Sequence, residues 1–411
     1  MLRLFTFLYV LLAPFTAWFA LSGWLRLPVV CILVALIWAA PFILASLGSK
    51  RPALYLKQED VFFLGALIWI GVSVVTHEPT VKTWGHALAY VFSLLVYYLG
   101  FRSLISVQEI DFYTLSRWAA KSVMLCSLIV IVEWALANFL DFYIREYVIF
   151  DEETSNMLYY GQYFFKSVGG TAEEPSLMAY NLNMLMALGL FYAQQKGTFY
   201  RNVYLLLYLA AMFCIASSGG IGFIVIAFLI VHANRVQGYL NLAKALLVAI
   251  LPLAVFYQLN SIFVEQRVMA FLESIYDKFT FQHQTASMRM WAWRNAWNDW
   301  LESPLVGKGP GYGNLEFYDG FGYQSLYFKL LAENGWPALL LMLSFFFFLV
   351  LKARFTQPQT RVYLMLALLA GFFHLSIHDA FYHPALWVTI VAMQAAWREQ
   401  RVSIQESLAT A

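Results

Sequence analysis

Apolar residues along this chain come in long blocks separated by short polar breaks, with almost no stretch that alternates apolar and polar. The blocks fall near 4–22, 27–47, 61–76, 87–106, 119–140, 176–194, 203–217, 219–233, 244–262, 336–351, 362–378 and 383–397. A helix needs about 20 predominantly apolar residues to cross a bilayer. The pattern therefore predicts an all-α, polytopic membrane protein with about 12 transmembrane helices. The pair 203–217 and 219–233 is the least clearly divided, because only the tight Ser217-Ser218-Gly219-Gly220 break parts them. The first block follows Arg3 and begins like a signal peptide. It is rich in Phe and Trp and lacks a clear small-residue cleavage site, so it reads as a retained span.

Two polar segments, 141–175 and 263–335, are longer than a turn, and this pattern of spans puts both on one side. With the N-terminus in the cytoplasm, sixteen of the 26 Lys and Arg residues lie on the cytoplasmic side. Six of the other ten belong to 263–335, where loop length removes most of the force of the charge rule. We therefore expect one integral membrane domain over 1–411, with both termini cytoplasmic. Residues 141–175 would form a first external loop, and 263–335 a large external loop with amphipathic helices. Polar residues invested on one face mark it as the working face.

Composition agrees with lipid as the main solvent: 61% of residues are hydrophobic and only 12% charged. A soluble chain carries about twice that charge. The net charge of +2 points to no polyanionic partner, so nucleic acid is not expected. Cys31, Cys126 and Cys214 each sit inside an apolar block without metal-ligand spacing and read as small core residues.

The larger loop carries most of the candidate chemistry. Residues 287–304 read as a helix ended by Pro304, with Met290, Trp293, Trp297, Trp300 and Leu301 on one face. Asn295, Asn298, Asp299 and Glu302 take the other face, and Arg289 and Arg294 its rims. Such a helix either lies at headgroup depth with snorkelling arginines or covers a lipid-linked substrate whose phosphate an arginine grips. Guanidinium suits the second task because its fork matches phosphate oxygens and stays charged. The following Gly307, Gly309, Gly311 and Gly313 allow either a compact turn or an amide nest for an anion. No Ser or Thr follows Lys308, so a nucleotide-binding loop is excluded. Glu333, near the membrane surface, reads as a general base with a raised pKa or as a solvated helix-end charge.

In the smaller loop, Lys166 precedes Glu174 and Pro175, which also fit a plain helix start. His374 and His378 share a helical face, with Asp379 and His383 close by. The pair lacks the glutamate and third ligand of a zinc site, so no metal is expected and a cavity for phosphate or sugar is the functional reading. Glu133, inside the fifth block, is a lesser candidate on the same grounds.

The order of these elements resembles the bacterial O-antigen ligase and O-antigen/exopolysaccharide polymerase superfamily. The resemblance rests on Arg289 followed by Trp293 or Trp297, then Pro304-Leu305 with Gly307 and Gly309. Leu331-Ala332-Glu333-Asn334-Gly335 and Lys166…Gly169…Glu174-Pro175 complete it. It implies a metal-independent glycosyltransferase without cofactors, using a polyprenyl-diphosphate glycan as donor and another as acceptor. It also implies membrane lipid as surroundings and a chain-length regulator or flippase as a candidate partner. Arg289, Arg294, Lys166, Gly307 and Gly309 would hold the diphosphate, with Glu333 or Glu174 as base and His374, His378 and Gln324 lining the cavity. Three departures stand out: Gln324 replaces the ligases' histidine, Lys166 replaces a usual arginine, and no arginine lies near 217–220. The missing histidine favours a repeat-unit polymerase over a ligase that moves polysaccharide to lipid A core. A lipid-linked glycan flippase is the rival from another class, but the inverted repeats it would favour are not evident.

Overall fold

A computed structural model describes residues 1–20, 25–48, 52–78, 80–149, 167–233, 284–314 and 322–410. The described residues are helical and form no strand. Among the described residues, seven helices are long and apolar enough to cross a membrane. They are α2 (Leu27–Ser46), α3 (Gln58–Thr76), α4 (Val81–Val107), α5 (Phe112–Phe139), α7 (Pro175–Gln195), α8 (Thr198–Ile215) and α11 (Leu326–Arg354). The other described helices are α1 (Leu2–Leu11), α6 (Arg145–Val148), α9 (Ser218–His232), α10 (Gln284–Glu302) and α12 (Pro358–His374). The last is α13 (Pro384–Thr410).

The block near 4–22 does not form one span. Helix α1 stops at Leu11, just before Pro14, and the chain then folds across the bundle end. There the backbone amides of Thr16 and Ala17 both donate to the Thr171 carbonyl, at 3.1 and 3.0 Å. The tight break at 217–220 does separate two helices. Ala216 adopts φ +52° and the Ser217 hydroxyl caps α9 by accepting from the Gly220 amide at 3.2 Å. The block near 244–262 lies outside the described residues.

Small residues let the helices close, as expected where lipid supplies no hydrophobic drive between them. A Cβ on Gly189 of α7 would meet the Ala120 Cα of α5 at 2.7 Å and the Tyr204 hydroxyl of α8 at 2.4 Å. Interhelical polar contacts add direction: the Tyr208 hydroxyl donates to Asn183 Oδ1 at 2.5 Å, and Asn183 Nδ2 to the Gly220 carbonyl at 2.8 Å.

Helix α11 begins at Leu326, inside the segment expected to be loop, and its first turns are buried, Lys329 and Glu333 included. It breaks at Gly335, where φ is +76°. The turn at 304–314 grips this break. Lys308 N donates to the Ala332 carbonyl at 2.8 Å, Gly309 N to that of Glu333 at 2.9 Å, and Trp336 N to that of Pro304 at 3.1 Å. Helix α3 closes the other side, with the Ser73 hydroxyl shared between the Val306 and Glu333 carbonyls at 2.6 and 2.9 Å.

Candidate functional site

The turn at 168–174 stands on a buried ion pair. Glu133 of α5, fully buried, lies 3.7 Å from Arg145 Nε. Arg145 Nη2 donates to the carbonyls of Ala172 and Glu173. Glycine is required above it, since a Cβ at Gly169 would stand 2.9 Å from Arg145 Nη2. Glu133 is thus a support for the turn, placed under it and not in a cavity. Glu173 is tied down from the other side by Arg26 at 2.5 Å and the Thr16 hydroxyl at 2.5 Å. Burial alone would raise the Glu173 pKa, but Arg26, His383 and Thr16 override it and hold the group at about 2.

With Glu173 fixed, Glu174 presents its carboxylate at the start of α7. Its Oε1 accepts from the Ser176 hydroxyl at 2.8 Å and lies 3.2 Å from His378 Nε2. His378 Nε2 is also 2.7 Å from the Ser176 oxygen. Carboxylate, hydroxyl and imidazole therefore form one hydrogen-bonded group. Arg289 of α10 lies within electrostatic range of both Glu174 and His378. Burial raises the Glu174 pKa, with Ser176 and Arg289 pulling it back. Burial and then Arg289 lower that of His378 to about 3, so its ring is neutral at ordinary pH. His374 stacks on His378 with ring centroids 5.4 Å apart, and Tyr180 backs His374 at 5.2 Å.

A second charged group adjoins the first through neighbouring His378 and Asp379. Lys329 Nζ meets Asp379 Oδ2 at 2.6 Å, and His86 of α4 also acts on Asp379. Burial works against the Asp379 carboxylate, but Lys329 outweighs it and keeps the pKa at about 2. Glu333, one turn after Lys329, faces the backbone amides of Gly311 and Gly313, the latter 3.4 Å from Oε1.

Four candidates from distant parts of the sequence thus converge: Arg289, Glu174, His378 and His374. Glu333 lies alongside them through Lys329 and Asp379. Gln324 occupies the turn into α11, half-buried at φ +53°. That turn docks on the 375–378 loop, where Leu326 N donates to the Leu375 and His378 carbonyls at 2.9 and 3.0 Å. Arg294 is exposed, and Lys166 lies outside the described residues.

Two expectations need correction. The amide nest does not form at Gly307 and Gly309: their amides donate to the Ser303 and Glu333 carbonyls, both at 2.9 Å. These glycines shape the turn, and the amides facing a carboxylate are those of Gly311 and Gly313. The second lies in α10: Asp299, expected on the polar face, turns inward to accept from the Tyr323 hydroxyl at 2.7 Å. Helix α10 approaches α11 through the buried Ala292 and Ala296 and through Trp293, which stacks on Phe328 at 5.6 Å, while Met290, Trp297 and Leu301 stay exposed.

Sequence reading did not single out Ser176, Lys329, Arg26 or Glu173. For Lys329 a signal existed, a lysine one turn before Glu333 at the entry to an apolar block. Among the described residues no group of three or more His, Cys, Asp or Glu is arranged to hold a metal ion.

Residues 203–343 match the model of a protein family described as O-Antigen ligase. The matched stretch contains Arg289, the glycine turn, Gln324 and Glu333. Glu174, Ser176, His374, His378 and Asp379 lie outside it. No curated protein matches the chain.

Proposed function

We infer from this chain's place in the O-antigen ligase and polymerase superfamily that it is a membrane glycosyltransferase that polymerises polyprenyl-diphosphate-linked repeat units. The reaction would take place on the periplasmic face of the inner membrane, in a bundle of about twelve spans with both termini cytoplasmic. The observation that carries this reading is the hydrogen-bonded group of Glu174, Ser176 and His378 at the bundle end, with Arg289 in electrostatic range of it.

In the proposed reaction an acceptor sugar hydroxyl attacks the anomeric carbon of the donor. The bond from that carbon to the diphosphate oxygen breaks, and polyprenyl diphosphate leaves with its electron pair. Arg289 stabilises the charge gathering on the leaving group, which is where fixed positive charge contributes most. Glu174 takes the proton of the acceptor hydroxyl. Its raised pKa makes it a stronger base than an ordinary carboxylate. Neutral His378 and Ser176 orient the Glu174 carboxylate by hydrogen bonding. Lys329 adds positive charge at depth, and the Asp379 carboxylate keeps it in place.

Gln324 in place of histidine favours polymerase. The family's description and the presence of His378 beside the 324 turn favour the second reading, a ligase that moves finished polysaccharide to a core acceptor. Supplying purified enzyme with a lipid-linked single repeat separates the two. A ladder of longer lipid-linked products supports polymerase. A single transfer, seen only when core acceptor is added, supports ligase, and turnover of neither substrate rejects both.

A further inference from the structure

The bundle end opposite the candidate site holds a second concentration of buried charge. Helix α3 enters there with Glu59 and Asp60, both fully buried. Each acid is already engaged: Glu59 pairs with Lys352 of α11 and accepts from Gln394 Nε2 at 3.2 Å. Asp60 takes both arms of Arg102, at 3.1 and 2.8 Å, and the Tyr98 hydroxyl at 2.5 Å. Two cations there have no ion-pair partner among the described residues, although Glu399 acts on Arg398 electrostatically. Lys57 has no ion pair among the described residues, and Arg398 Nη2 is satisfied by the Ile110 carbonyl at 2.9 Å, a neutral group. Arg102 is 4% exposed, and its buried Nε lacks a hydrogen-bond partner among the described residues.

These three cations line one small, half-open crevice, together with Tyr55 and Gln394. The Tyr55 ring lies 5.5 Å from Lys57 Nζ and 5.3 Å from the Arg102 guanidinium. We propose that this crevice binds a phosphate-bearing anion, with Lys57, Arg102 Nε and Arg398 as its donors. Donors reaching one space from the start of α3, the end of α4 and the middle of α13 suit an anion with several oxygens. The electrostatics of Lys57 agree: burial, then repulsion from Arg102, bring its pKa down to about 7. A bound anion offsets both effects. Leu54 and Leu56, exposed at 40% and 62%, flank Tyr55 in the chain and offer a surface for acyl chains. The phosphate can therefore belong to a phospholipid headgroup or be free in solution.

Native mass spectrometry of the detergent-purified chain tests this, with phosphatidylglycerol, phosphatidylcholine and inorganic phosphate added separately. The expected result is retention of one phosphatidylglycerol and release of phosphatidylcholine. K57Q/R398Q should weaken that retention by about tenfold for each charge-assisted hydrogen bond removed. Neither residue belongs to a buried ion pair, so the variant should fold, which gel filtration checks; K57Q alone serves if it does not. A rise in melting temperature with inorganic phosphate but no lipid retention assigns the site to the free ion, and K57Q/R398Q should abolish it. Equal retention of the two lipids, no response to any phosphate, or an unchanged K57Q/R398Q would overturn the proposal.

Discussion

Gly307→Ala is the sharpest test of how the turn serves the site. The residue sits at φ +68°, where an L side chain costs about 1–2 kcal/mol. The larger effect is steric. A Cβ there would stand 2.2 Å from the Glu333 carbonyl carbon, 2.4 Å from Asn334 N and 2.5 Å from the Glu333 oxygen. All three are backbone atoms, so no side chain can swing away. Reaching ordinary contact at 3.4 Å requires a displacement of about 1 Å. The turn cannot yield that distance without straining the Gly309–Glu333 and Ser73–Glu333 hydrogen bonds that fasten it. Glu333 and Lys329 must therefore shift, and misplacing reactive groups by about 1 Å costs roughly 100-fold in rate. The assay is product formation from a lipid-linked repeat by purified enzyme, normalised to monodisperse protein. Gly222→Ala is the control, because a Cβ at that helical position meets nothing within 4 Å. The reasoning fails if Gly307→Ala turns over within threefold of the parent while Gly222→Ala behaves the same.

Arg289→Ala should abolish product while sparing membrane insertion, and Arg289→Lys should recover little because a point charge does not reproduce the fork; turnover and membrane yield are measured side by side. Lys329→Met should destabilise the fold by about 1–3 kcal/mol, less than for a fully buried pair because the Asp379 side chain is one-third exposed, and Lys329→Met with Asp379→Asn should regain most of it, read as melting temperature. Thermal stability should fall on acidification from pH 7.5 to 5. His378 and His383 have folded pKa values of about 3 and 4, below the ordinary 6.5, so the unfolded chain takes up protons first as pH drops through 6.5. Asp379 and Glu173, both held at about 2, add a further loss only below about pH 4.5. His378→Gln should flatten the upper part of that decline. If Glu174 is the base, activity should rise with pH through a midpoint above 4.5, and Glu174→Gln should remove the rise together with most turnover.

How far the sequence could be read depended on whether a feature was local. Hydropathy is local, so the all-helical membrane class and helices such as 58–76 and 112–139 were legible, as was the helix ending before Pro304. Glu174-Pro175 was equally legible as a helix start, because capping needs only adjacent residues. Burial of individual groups was not. Nothing near Glu133 in the sequence tells that Arg145 will lie under the 168–174 turn. The α10 helix shows the same limit: its periodicity was correct, but its packed face was set by what α11 offered.

What the chain determines by itself is its solvent, its helical class and the residue types that reach the ends of its helices. Those follow from hydrophobicity and backbone hydrogen bonding within a few turns. Convergence was decided only in three dimensions, where Glu174 and His378 meet across more than 200 residues with Arg289 in electrostatic range. So was the fate of the amides at 307–313, some spent on carbonyls and some turned to Glu333. Ion pairing, desolvation and backbone contact act through space, and no pattern along the chain encodes which partner will be there.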